Sequence, residues 1–534
     1  MAALEIDRNE PSNLNPWSSN MDAAHESSQA SATKRNLAVT GVMLVIFLFA
    51  IDATIVSTSM PTIVAKLGGL ELYSWVFSIY LLTSALTTPL FGKLADLFSR
   101  RRLMLIGIGI FVLGSTLCGA AQSMEMLVLF RAIQGLGGGA IYALAFIVVG
   151  VLFPLDKRAR MQGIISSIWG ISSILGPLAG GLIVEHTNWR WVFFVNLPIT
   201  AVAIGLIVVG LKEEKTERHA PKLDLLGGTT LLVSLLLMFY ALAHSAHGRQ
   251  PLNAELLSLL GLSLVLLVVF YFIERRAPEP IIPLDLFPLK LYRTSTIVAT
   301  LAAMGVFGAI SYLPLYFQGV LGMSASRAGM ILLLLSLGWT AGSLIAGQGI
   351  NRLGYRSVAV AGMASMAVGF STFVVTGEPV ALLLVLLASL LIGVGMGMAN
   401  LTTLVAAQSA VPIRRIGVAT STIMLFRTFG AAFCISLMGT VLLYHMQQGL
   451  ERIGSDLPAN LRDTIANPHN LLEPAARALI PYEVLPKFVE LLQDSIWYAF
   501  LTALVLMISG CVVSFWMGNY TPATTPRSDG KPSR

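Results

Sequence analysis

Apolar residues run through this chain in blocks of about 20, long enough to cross the hydrocarbon core of a bilayer as helices. Fourteen such runs begin near residues 37, 73, 103, 125, 160, 190, 224, 254, 295, 328, 357, 380, 415 and 495. The thirteenth is long enough to tilt or to project past the lipid. The pattern predicts an all-α polytopic membrane protein.

Two of the polar links are alike. Gly92–Arg101 joins the second and third runs, and Gly347–Arg356 joins the tenth and eleventh, aligning Gly92 with Gly347, Asp96 with Asn351 and Arg101 with Arg356. Duplicated halves are how alternating-access carriers are built. The spacing is two runs longer than a six-plus-six duplication needs. The seventh and eighth runs, Asp224–His244 and Glu255–Glu274, are therefore expected to be a hairpin inserted between two six-helix bundles. The expected layout is a disordered cytoplasmic tail (1–36), a first bundle (37–211), a linker with the hairpin (212–294), a second bundle (295–517) and a cytoplasmic tail (518–534) that is similar to the first tail from about Asn519. Residues 446–493 form an extracytoplasmic loop in this layout. Its amphipathic stretch Val484–Leu492, with Leu485, Phe488, Val489 and Leu492 on one side, is expected on the outer membrane surface or over a pathway mouth, a plain solvated loop being the alternative.

Composition agrees with lipid as the main solvent. The 534 residues are 55% hydrophobic and 12% charged, against about 25% charged in an average soluble domain. The net charge of +7 sits in short links with no contiguous basic face, so nucleic acid is not implied. Of the 35 Lys and Arg, 25 fall on one set of helix ends and 8 on the other, with Arg131 and Arg427 inside runs. The positive-inside rule then places both termini in the cytoplasm of a multi-pass plasma-membrane protein. The N-terminal stretch lacks the basic start and apolar core of a signal peptide. Cys118, Cys434 and Cys511 lie inside apolar runs without metal-ligand spacing and read as small buried hydrophobes. Neither a metal nor a cofactor is called for.

Charge inside the runs is rare and hence informative. Asp52 is the one clear carboxylate there. Counting about 1.5 Å per residue from the nearest run ends, Asp52 and Arg131 both sit roughly 10 Å below the same surface and can meet. The glycines after Arg131 (Gly135, Gly137, Gly139) follow no strand, so they fit a small-residue packing face rather than a dinucleotide fingerprint. Gly393, Gly395 and Gly397 echo them in the twelfth run, with Ser389 where Arg131 stands. No Walker-type stretch, His-Glu-x-x-His or nucleophile elbow occurs, which disfavours ATP-driven transport and an intramembrane enzyme.

Four motifs give the chain its resemblance to the fourteen-helix drug:H⁺ antiporter group of the major facilitator superfamily (DHA2; EmrB/QacA-like), over about residues 37–517. The link with Gly92, Leu94, Asp96, Arg100 and Arg101 resembles the family's cytoplasmic latch, with Leu97 and Ser99 departing from the usual basic residue and Gly. Here Gly92 is expected to supply a tight link with positive φ, and Asp96 to sit by a helix N-terminus with Arg nearby. Positive-inside charge alone is the other reading. Arg131 with Gln134, and Asp52 with Thr54 and Pro61, resemble two further motifs. Gly176, Pro177, Gly180 and Gly181 resemble the antiporter signature, with Ser172 in place of its usual Gly. Asn188–Pro198 is also typical of the group.

The resemblance implies a major facilitator fold and a proton-coupled secondary exporter of amphipathic or hydrophobic compounds, of multidrug efflux type. Asp52 and Arg131 would couple protons, a static structural pair being the alternative. Thr54, Gln134, Trp169, Tyr312, Tyr316, Trp339, Asn400 and Arg427 are candidates for the substrate cavity, each otherwise a packing residue. The partners are a small-molecule substrate, protons and membrane lipid, with no nucleic acid. The chain is taken as a monomer, and an accessory partner is left open. Export of one physiological molecule, or a receptor role without transport, are the competing functions. The second bundle lacks a membrane acid, so neutral, zwitterionic or monocationic cargo is expected over dications.

Overall fold

Hydrocarbon offers no partner to a bare peptide group, so each apolar run closes its hydrogen bonds within itself as a helix. The computed structural model describes residues 16–152, 168, 171–172, 175–211, 224–245, 254–277, 280–282, 284–375, 381–412, 415–455 and 485–521. The first bundle holds α1 (Pro16–Leu67), α2 (Tyr73–Leu97), α3 (Arg100–Ala120), α4 (Met124–Leu152), α5 (residues 175–186) and α6 (Trp191–Gly210). A hairpin of α7 (Leu225–Ser245) and α8 (Ala254–Arg276) follows. The second bundle holds α9 (Lys290–Leu315), α10 (Ala325–Val375), α11 (Leu382–Ser409), α12 (Ile416–Ser455) and α13 (Leu485–Ser514).

Among the described residues, eleven helices are long and apolar enough to cross a membrane. One of them, α10, carries the tenth and eleventh runs as two arms that meet at Gly354 (φ 77°). The apolar part of α7 is shorter, Leu226–Met238, and α5 is the main described part of the fifth run. Fourteen crossings are compatible with this set. The hairpin is closed by two reciprocal bonds, Ser234 Oγ to the Ser263 carbonyl and Ser263 Oγ to the Ser234 carbonyl, each 2.8 Å.

The duplication is visible in how glycines let helices touch. Methyl groups at Gly135 and Gly139 of α4 would lie 2.4 and 2.1 Å from the Tyr80 and Ser84 carbonyl oxygens of α2, and one at Gly137 would meet α3 at Phe111. In the second bundle Gly393 and Gly397 of α11 meet the first arm of α10 at the Leu335 and Trp339 carbonyls, and Gly395 meets the second arm at Gly362. The same three-glycine face thus packs the same pair of neighbours twice.

Four expectations need correction. The helix of α1 starts at Pro16, inside the stretch expected to be disordered. A helix already nucleated by a membrane span extends at propagation cost alone, and proline suits a first turn. Gly92 is helical within α2 and meets nothing within 4 Å, and its φ is not positive. The turn of the first link falls instead at the extended residues Phe98 and Ser99, and that of the second at Gly354, which aligns with Ser99. The stretch at 484–492 is not a separate surface element: from Leu485 it forms the first turns of α13, with Phe488 and Leu492 buried, because its apolar period runs in phase into the last span. Residues 456–484 lie outside the described residues. The C-terminal tail begins docked, not free. The Tyr355 N–H donates to the Tyr520 carbonyl at 2.9 Å, and Arg356 lies 5.3 Å from the Phe515 ring.

The two bundles meet at the end where α1 hands over to α2. Tyr73 Oη donates to the Ser311 carbonyl (2.5 Å), Ser78 Oγ to the Ala432 carbonyl (3.1 Å), and Ser436 Oγ to Ser78 Oγ (3.0 Å). A π-helical turn, Tyr316–Val320, ends α9, and from it Gln318 Nε2 donates to the Thr58 carbonyl of α1 (3.0 Å). Glu185 at the end of α5 accepts from the Ser326 N–H in the first turn of α10 (3.2 Å).

Two alanine substitutions test the packing argument. Gly393→Ala drives its methyl to 2.0 Å from the Leu335 carbonyl and is expected to cost about 1–3 kcal/mol. Gly92→Ala, in open space, is expected to leave stability equal or slightly higher. Melting of the two variants in detergent checks this, and equal midpoints would refute the close-approach role of Gly393.

Candidate functional site

Helix α1 brings polar residues into the first bundle without leaving them bare. Thr54 Oγ1 donates to the Ile51 carbonyl (3.1 Å), Ser57 Oγ to the Thr54 carbonyl (2.7 Å) and Ser59 Oγ to the Ile55 carbonyl (2.9 Å). These hydroxyls use the carbonyls of their own helix, as expected where water is excluded. Thr54 and Thr58 also reach the fifth run, at the Ser172 carbonyl and at the Pro177 carbonyl of α5. Gly176 and Gly180 make room for them: a methyl at either would lie 2.0 or 2.3 Å from the threonine Oγ1. Gly181 faces the other way, against the Ala325 carbonyl of the second bundle.

Asp52 has no such local solution, and its partners come from other helices. Arg131 Nη1 donates to Asp52 Oδ2 at 2.6 Å, and the two side chains are 1% and 0% exposed. Gln134, one turn on from Arg131 and on the same face, donates from Nε2 to Asp52 Oδ1 at 2.7 Å. Asn196 of α6 donates to the same oxygen at 3.2 Å and to Ser115 Oγ of α3 at 3.0 Å.

Arg131 is satisfied in turn. Its Nε donates to the Val76 carbonyl (3.2 Å), its Nη1 also reaches Gln134 Oε1 (2.8 Å), and its guanidinium lies 4.0 Å from the Tyr80 ring centroid. The Cys118 thiol donates to Gln134 Oε1 at 3.6 Å. Five helices of one bundle therefore converge on a single buried charge pair. Removing one partner of such a pair typically costs 3–5 kcal/mol, because the other charge stays buried.

Sequence reasoning brought Asp52 and Arg131 to this depth but gave Gln134 as a cavity candidate rather than a partner of Asp52, and missed Asn196, Ser115, Tyr80 and the Val76 carbonyl as members. An amide well inside an apolar run was the available signal for Asn196. A backbone carbonyl leaves none.

The other candidates divide. Tyr312 is buried, donates to the Ile435 carbonyl at 2.8 Å and packs on Tyr73. Tyr316 is buried in an aromatic cluster with Phe373 and Phe500 of the second bundle. Trp339 and Asn400 are half-buried, and the buried Oδ1 of Asn400 has no hydrogen-bond partner. Arg427 of α12 is half-buried, and its Nη1 lies 3.6 Å from Met424 Sδ. Trp169 lies outside the described residues, as does the side chain of Asp96. The backbone of Asp96 belongs to the last turn of α2, not to a helix N-terminus, which corrects the dipole argument made for it. Arg100 and Arg101 open α3.

Known proteins share both the sequence and the fold. The pattern that defines the Major Facilitator Superfamily matches residues 42–434. A protein of Bacillus subtilis (strain 168) named multidrug transporter protein MdtP is 34% identical, over 92% of this chain and 94% of its own length. Multidrug resistance protein 3 of the same organism is 32% identical, over 94% and 98%. Among solved structures, a bacterial homolog of the human lysosomal transporter Spinster, in an inward-facing and unoccupied conformation, superposes with a TM-score of 0.65 at 16% identity, covering 91% of this chain and 97% of that one. On the family pattern and these relatives, the chain belongs to the Major Facilitator Superfamily.

Proposed function

We propose that this chain is a proton-coupled exporter of amphipathic small molecules, working by alternating access in the plasma membrane with both termini cytoplasmic. It moves its cargo without covalent chemistry. The efflux assignment is supported by the relatives named as multidrug transporters. The observation that carries proton coupling is the Asp52–Arg131 pair, fully buried and held by groups from several helices.

Protonation of Asp52 removes the charge that compensates Arg131 and weakens, without removing, the acceptor that Gln134 and Asn196 share. The penalty, about 3–5 kcal/mol for an orphaned buried charge, is relieved by moving α1 away from α4 and α6. One proton gains about 2.3 kcal/mol per 100 mV of potential and about 1.4 kcal/mol per pH unit. An ordinary gradient is therefore of the size needed to break the pair, whereas a surface pair worth under about 1 kcal/mol would couple weakly.

In this orientation the closed end of the bundles faces outward, and the basic link with Gly92, Asp96, Arg100 and Arg101 faces the cytoplasm as a latch between bundles. Gly176, Pro177, Gly180 and Gly181 belong to the closed outer face, where α5 meets both α1 and α10.

In proteoliposomes, Asp52→Asn is expected to lower pH-gradient-driven dye transport at least about tenfold, since one lost charge pair exceeds 1.4 kcal/mol. Transport at the wild-type rate would remove Asp52 from the coupling role. A second expectation concerns Glu185, which lies past the apolar run that ends at Val184. Ser326, through its hydroxyl and then its backbone N–H, holds this carboxyl below the usual carboxylate range, with His186 adding to the effect. A depressed carboxylate supports the closed face above its ordinary pKa, and that support is lost as pH falls through the lowered value. Spin labels at Glu71 and Met323 are expected to separate more often as the outer pH drops through the carboxylate range. Glu185→Gln should flatten that response, and an unchanged response would dismiss the contact as a closure element.

A further inference from the structure

Two arginines lie inside the membrane spans, and their surroundings are opposite. Arg131 is matched by a carboxylate, an amide and a carbonyl. Among the described residues the one hydrogen-bond contact of Arg427 is the Met424 thioether at 3.6 Å, a weak acceptor for a group with five N–H donors, and the Tyr142 phenol lies within reach of its charge. Among the described residues no carboxylate pairs with it.

Its direction is fixed by that neighbour. Met424 and Arg427 are three residues apart and share a face of α12. Met424 Sδ accepts from Tyr142 Oη of α4 at 3.4 Å. The face bearing Arg427 is therefore turned toward the opposite bundle, not toward lipid.

What it faces is aromatic. Phe49 of α1 packs on Tyr142 with ring centroids 5.1 Å apart, and on Tyr80 of α2 at 6.0 Å. Tyr80 is 1% exposed, yet its hydroxyl has no hydrogen-bond partner. That hydroxyl emerges beside Phe49, since a methyl at Gly138 would lie 3.1 Å from both. A wall of rings is thus bounded by an unmatched guanidinium at one end and an unmatched phenol toward the other. An intramembrane cation is costly unless it meets an acceptor, and guanidinium is suited to the planar fork of a carboxylate.

We infer that Arg427 is the anion-recognising residue of the cargo site, so that the exporter takes amphipathic carboxylates with the acid group on Arg427 and the apolar body against Phe49 and Tyr142. This rests on the export reading above. It narrows the expected cargo away from monocations, while zwitterions keep a carboxylate to offer. The aromatic path from Tyr142 through Phe49 to Tyr80 ends on the guanidinium of Arg131, so bound cargo and the Asp52 pair share a continuous surface.

Binding to the purified full chain in detergent tests this without any gradient. The probes are 11-(dansylamino)undecanoic acid and its methyl ester, which differ only in the charge of the head group. The wild type is expected to bind the acid about tenfold tighter than the ester, the scale of one charge-assisted hydrogen bond. Arg427→Gln should erase that difference while ester binding stays within about twofold, which also reports an intact fold. Equal affinities in the wild type, or a preserved preference in Arg427→Gln, would overturn the inference. Should Arg427→Gln lose the ester as well, Arg427→Lys decides: a retained acid preference supports the assignment, and its absence refutes it. Loss of gradient-driven transport with intact discrimination would fault the coupling reading alone.

Discussion

A charge in hydrocarbon must find a partner, be kept near water, or distort the fold around it, and that constraint organises the first bundle. Asp52 is answered by three side chains from two helices, and Arg131 by a further backbone carbonyl and a ring face. The hydroxyl residues around them turn inward to their own carbonyls, so no donor competes for the carboxylate. Five helices are thereby tied to one point, and the position of that point decides how they can separate.

The second bundle repeats the scaffold and drops the charge pair. The glycine faces of α4 and α11 pack their neighbours through equivalent positions, yet Ser389 stands where Arg131 would be, and its hydroxyl is buried without a partner. Duplication conserved what close helix contact requires. Chemistry then diverged, with the ion pair in one half and an unmatched Arg427 in the other. A carrier that binds two unlike species has reason to place them in unlike halves.

Much of this was legible in the residues because membranes allow few solutions. Runs of about 20 apolar residues fix spans, and an acid and a base at equal depth fix a pair. The glycine triads announced their packing faces for the same reason. Four features escaped. The start of α1 at Pro16 and the entry of α13 at Leu485 are helix extensions, whose sequences are compatible with loop or helix until a neighbouring span decides. Asn196 required knowing which way α6 turns, since one amide inside a run has many possible partners. The turn at Phe98 and Ser99 rather than Gly92, and its counterpart at Gly354, escaped because aligning two links shows which residues correspond but not which of them bends.

The docked C-terminus gives the duplicated links unequal standing. The backbone after Gly354 already donates to Tyr520, and Arg356 rests over Phe515, so the second link is moored to the chain's own end. The two copies, alike in sequence, thus bend at different residues, and the second bend is braced by the chain's own end.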